Sequence, residues 1–71
     1  MKIRAILNGF SFDTTSAAIK RGWRDDLATN EALQGVLAMM GKDEVSRRTV
    51  VTFVHPFTNV ETKFDIQLRV M

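Results

Sequence analysis

Apolar and polar residues alternate from the start of the chain, with Ile3, Ala5 and Leu7 on one phase and Lys2, Arg4 and Ile6 on the other. A period of two predicts a half-buried strand. Asn8-Gly9 follows at once, and Asn-Gly favours a two-residue type I′ turn because both positions need positive φ. A tight hairpin sets Leu7 against Phe10, Ala5 against Phe12 and Ile3 against Thr14, so the apolar side chains share one face. On the other face Arg4 meets Asp13 and Ile6 meets Ser11. A one-residue slip would scatter these side chains, so the pattern specifies register as well as turn.

The C-terminal third carries a second pair of strands. Residues 50–54, VVTFV, are β-branched and aromatic, and Phe64, Ile66, Leu68 and Val70 alternate with Lys63, Asp65, Gln67 and Arg69. Residues 55–59, HPFTN, supply turn chemistry between them. A loop of about two or four residues leaves Val51 and Phe53 on the side of Phe64 and Ile66. Residues 42–48, KDEVSRR, are polar enough for an exposed connection back to the sheet.

The middle predicts helix. Leu33, Val36, Leu37 and Met40 recur at i, i+3, i+4 and i+7, with Asn30 or Thr29 as N-cap and Gly41 placed to end the helix in a left-handed conformation. Upstream, Ile19, Trp23 and Leu27 fall at intervals of four behind Ser16 or Thr15 as a cap, and Gly22 weakens that helix by about 1 kcal/mol. One continuous helix over 16–40 would centre Asp26 and Asn30 in the apolar stripe, where burial without partners is costly. A break between about Asp25 and Asn30 is therefore expected, with a single helix as the alternative. The order β-β-α(-α)-β-β implies an α+β two-layer sandwich: a four-stranded, mainly antiparallel sheet with one kinked helix or two helices on one face.

Seventy-one residues without a linker, repeat or low-complexity tract imply one domain, 1–71, that buries about 60% of its unfolded surface. The 45% apolar and 25% charged content is that of an ordinary globular chain. No apolar run approaches the length of a membrane span, and Lys2 and Arg4 interrupt the first residues, which argues against a secretory signal. A cytoplasmic location without a membrane partner is the expectation. The absence of cysteine excludes a disulfide scaffold, a thiolate nucleophile and a sulfur-ligated metal.

The groups that catalysis uses are sparse. His55 is the only histidine and sits beside Pro56, where a turn or packing role suits it better than general-base work. Asp25 and Asp26 are neighbours, and on a helix they would point about 100° apart rather than face each other as an acid and base pair. Metal-ligand spacing is missing, and Gly9, Gly22, Gly35 and Gly41 are isolated rather than gathered into a phosphate loop. No catalytic residue, cofactor or metal is expected.

Two basic clusters suggest phosphate: Lys20, Arg21 and Arg24 around Trp23, and Arg47 with Arg48. The net charge is only +2, and Asp25, Asp26, Asp43 and Glu44 stand beside the clusters. That dilutes the field nucleic-acid binding depends on. Trp23 shares a stripe with Ile19 and reads as a core anchor, and Met39 and Met40 read as the underside of a helix. The outer sheet face is more informative, because Ile6, Val50 and Val54 fall on it among polar residues. On adjacent strands they would form a contiguous apolar patch ringed by Lys2, Arg4, Lys63, Asp65 and Arg69, the composition of a protein interface. Edge strands offer a second route to a partner. The leading expectation is a non-catalytic protein–protein interaction module, an adaptor, small inhibitor or regulatory subunit, docking through the outer sheet face or an edge strand and open to self-association as a homo-oligomer. The alternatives are a nucleic-acid-binding accessory protein using Lys20, Arg21, Arg24, Arg47 and Arg48, and a structural subunit of a symmetric assembly.

Overall fold

The computed structural model of the chain describes residues 1–71. Six elements follow in the order β1 (Lys2–Leu7), β2 (Phe10–Thr15), α1 (Ser16–Arg21), α2 (Leu27–Met39), β3 (Ser46–Val54) and β4 (Glu61–Val70). The strands form one antiparallel sheet in the order β2-β1-β4-β3, so each hairpin is local and the two hairpins meet along β1 and β4. The helices cover one face as expected.

The first hairpin has the register read from the sequence, with Leu7 opposite Phe10 and Arg4 opposite Asp13. Asn8 and Gly9 take φ of 51° and 84°, the left-handed pair that a type I′ turn needs. Asn8 also ties this turn to the centre of the sheet: its N–H donates to the Asp65 carbonyl, and its side-chain oxygen accepts from the Asp65 N–H. The second hairpin has six loop residues, 55–60, rather than two or four. The longer loop is still even in number, so Val51 stays opposite Phe64 and the inward face is unchanged. Strand β3 also begins earlier than expected, at Ser46. Arg47, opposite Leu68, falls on the inward face there, and Glu44 takes its guanidinium in two hydrogen bonds of 2.7 and 3.1 Å.

The helical break is real but lies upstream of the expected one. Gly22, at φ 72°, closes α1, donating its N–H to the carbonyls of Ala18 and Ile19. Thr15 caps the start of α1 by accepting from Ala18 N–H. The second helix is capped by Asp26 rather than by Thr29 or Asn30: one carboxylate oxygen accepts from Ala28 N–H and the other from the Thr29 hydroxyl. Thr29 is buried with this bond made. Asn30 instead bridges the break, accepting from Arg24 N–H and donating to the carbonyls of Gly22 and Arg24. Gly41 is not the left-handed stop. Met40 ends the helix by turning extended, and Gly41 donates its N–H to Glu44.

Ile3, Ala5, Ile19, Ala32, Leu33, Val36, Phe64, Ile66 and Leu68 form the core between the layers. Three apolar side chains assigned to it stand outside. Trp23 follows α1 rather than lying on it and is 38% exposed, and Leu27 and Met39 on α2 are exposed. Phe10 is on the inward face but 70% exposed, because it sits at the strand end beside the turn.

Candidate protein interface

Strand order decides what the outer sheet face can be. Ile6 is on β1 and Val50 and Val54 are on β3, with β4 between them. Gln67 faces Ile6, Asp65 faces Val50, and Arg48 bridges to Asp65 through bonds of 3.2 and 2.8 Å. The expected contiguous patch of Ile6, Val50 and Val54 therefore does not form: a polar row divides it. Lys2, Arg4, Lys63 and Arg69 lie on the same outer face, but around two separate apolar spots.

The charges on this face are partly paired. Arg4 donates to Asp13 at 3.0 Å across the first hairpin, and the Arg48–Asp65 pair spans the second. The hydrogen bonds from these guanidiniums hold the Asp13 and Asp65 carboxyls below the usual range. Glu44 is lowered in the same direction by Arg47 and then by the Gly41 N–H. Arg4 also stands directly opposite Arg69 on β4, an arrangement of like charges that works against pairing. The outer face holds five cations, Lys2, Arg4, Arg48, Lys63 and Arg69, against three anions, Asp13, Glu61 and Asp65. Elsewhere five cations meet five anions, so the whole net charge of +2 resides on the outer face.

The residues expected to form a nucleic-acid surface do not come together. Lys20 and Arg21 are on α1, Arg24 lies 5.1 Å over the rings of both Phe12 and Trp23, and Arg47 and Arg48 point to opposite faces of β3. Trp23 packs edge-on against Phe12 at 6.0 Å and donates its indole N–H to the Thr14 hydroxyl, closing the inward side of β2. His55 sits between Phe53 and Phe57 and accepts the Phe57 N–H at Nδ1, which is the turn and packing role its position suggested. Asp26 caps a helix and Asp25 is exposed.

Strand β3 lies at one edge of the sheet and pairs with β4 alone. Its pairing with β4 runs from Ser46 to Val54 without a bulge. The bonds from Val70 N–H to Val45 and from His55 N–H to Val60 place the odd-numbered residues in the ladder. By antiparallel alternation the even-numbered residues Ser46, Arg48, Val50, Thr52 and Val54 turn both backbone groups away from the sheet. All five are exposed, Val50 by 63% and Val54 by 50%. Val50 and Val54 were visible in the sequence as outward apolar residues; Ser46 and Thr52 were not, because only strand order shows that β3 is an edge.

Three surface clefts of about 160 to 280 Å³ lie elsewhere on the molecule, one of them touching β3 at Arg48 alone, and each is below the range of about 300–1,000 Å³ usual for small-molecule sites. No helix is long and apolar enough to cross a membrane. Comparison with family models, with curated proteins and with solved structures gives no match.

Proposed function

We propose that this chain is a non-catalytic protein–protein interaction module whose docking element is the free edge of β3. The observation that carries the proposal is the unbroken nine-residue edge strand, with five residues offering backbone donors and acceptors to solvent. An added strand gains main-chain hydrogen bonds from such an edge and side-chain specificity from the residues flanking it. Natural edges are usually blunted by charge, proline, bulges or a covering loop. Here residues 50–54, VVTFV, have neither charge nor proline. A test uses a display library of random peptides selected against the immobilised chain. Extended peptides are expected to bind the native chain and to be lost with Thr52→Pro, which removes an outward N–H without breaking a bond to β4. Binders indifferent to Thr52→Pro would overturn the proposal.

A second reading, binding to a nucleic-acid backbone, is favoured by the location of the net charge. It moves from the helical residues to Lys2, Arg4, Arg48, Lys63 and Arg69 on the outer face. Counterion release makes such binding fall steeply with salt, so duplex DNA held at low salt and released at about 0.2 M supports it. Equal retention at both salts, or none, removes it.

A further inference from the structure

The partner of the β3 edge can be specified more closely, on the assumption that the edge is the docking element. We infer that it is a second copy of this chain, paired antiparallel about a two-fold axis through Val50. This register joins Ser46 to Val54, Arg48 to Thr52 and Val50 to its own mate, so every outward residue of β3 meets another outward residue. No other centre uses all five. The seam sets no two like charges opposite each other, and it places the two exposed Val50 side chains together on the outer face. On the inward face Arg47 comes opposite Phe53 of the second copy, a cation beside an aromatic ring.

The helical layer fits the same axis. Helix α2 packs over β3 and β4 while α1 packs beside β2. Asn30 and Gln34 turn toward α1 and the break, Gln34 donating to the carbonyls of Ile19 and Lys20. At about 100° per residue the flank turned toward the β3 edge then carries Ala28, Gly35 and Met39, with the buried Ala32 beneath them. With strands about 4.8 Å apart, pairing β3 with its mate brings the two α2 axes to about 10 Å, the spacing of packed helices. Small residues suit that approach. A Cβ at Gly35 would meet nothing within 4 Å in the single chain, so this flank has room for the neighbour. A chain of 71 residues also gains proportionately from an interface its own core cannot supply.

Because the chain has no cysteine, single-cysteine variants report the register directly. The Val50 pair would lie about 5.5 Å apart between Cα atoms, inside the range a disulfide spans. The Thr52 residues, four positions apart along the strands and one strand spacing across, would be about 14 Å apart, outside it. The native chain is expected to sediment at twice the mass of one chain, Val50→Cys to form a covalent dimer on mild oxidation, and Thr52→Cys to form none. Gly35→Glu is expected to keep its fold by circular dichroism and to self-associate about tenfold more weakly. Cross-linking through Thr52→Cys rather than Val50→Cys overturns the register, and with it the pairing proposed here. A monomeric native chain that still captures peptides in a manner abolished by Thr52→Pro overturns the second copy and leaves the edge as the docking element. A monomer that captures none overturns both.

Discussion

The two edges of the sheet are built differently. Strand β2 is six residues long and β3 is nine. On β2 only Ser11, Asp13 and Thr15 turn their backbone groups outward, since Ile3, Ala5 and Leu7 take the even-numbered residues. Of these, Asp13 carries a charge and Thr15 is already the cap of α1. The chain continues at once into α1, which packs beside β2. Charge, shortness and the adjoining helix are the usual means of blunting an edge. On β3 the only outward charge is Arg48, held by Asp65 at one end of the strand, and the remaining outward residues are neutral. A molecule that blunts one edge and leaves the longer one open offers one side of its sheet, not both, for the pairing proposed above.

The comparison predicts a strict parity along β3. Val51→Pro removes an N–H that bonds to β4 and disturbs a side chain packed on the core. It is expected to lose about 1–3 kcal/mol of stability from the β4 carbonyl left without its donor, and more from the displaced side chain. Thr52→Pro, one residue on, removes an N–H that faces solvent, the edge position where a strand tolerates proline, and should cost clearly less. Urea unfolding of the two variants measures the difference. Equal losses would mean that the outward groups of β3 are not free, and the contrast between the edges would disappear.

Much of this edge was out of reach of sequence reading for a physical reason. Asn8-Gly9 encodes its turn locally, because few residue pairs accept two positive φ values, and the alternation of Ile3, Ala5, Phe10 and Phe12 then has one consistent register. The β3–β4 pairing kept its face despite a longer loop, since parity rather than length decides which side chains point inward. Strand order is different. It depends on how β1 and β4 meet, a contact between residues about sixty positions apart, and no local pattern carries it. The separation of Ile6 from Val50 follows from that order alone. The helix ends show a smaller failure of the same kind: Asp26, Thr29 and Asn30 are all good caps by type, and the choice fell to Asp26 because Asn30 was needed to hold the carbonyls of Gly22 and Arg24.

The weakest contrast lies in the ion pairs. On the exposed outer face Asp13 takes one bond and Asp65 two from a guanidinium, whereas Glu44, on the inward side, takes two from Arg47 and a third from the Gly41 N–H. All three carboxyls are lowered by these bonds. A lowered carboxyl stabilises the fold fully above its unfolded value, about 4, and loses that contribution as pH falls through the lower folded value. The three pairs should therefore leave stability flat at neutral pH and erode it only in acid. Salt separates them: at 1 M the screening length shrinks to about 3 Å, and exposed pairs weaken first. Carboxyl-carbon titrations by NMR in low and high salt should move Asp13 and Asp65 back toward ordinary values while Glu44, fixed by its backbone donor as well, moves least. If Glu44 shifts as far as the other two, its bonds at the start of β3 are no firmer than those on the open face, and the early strand start at Ser46 needs another cause than the Glu44–Arg47 clamp.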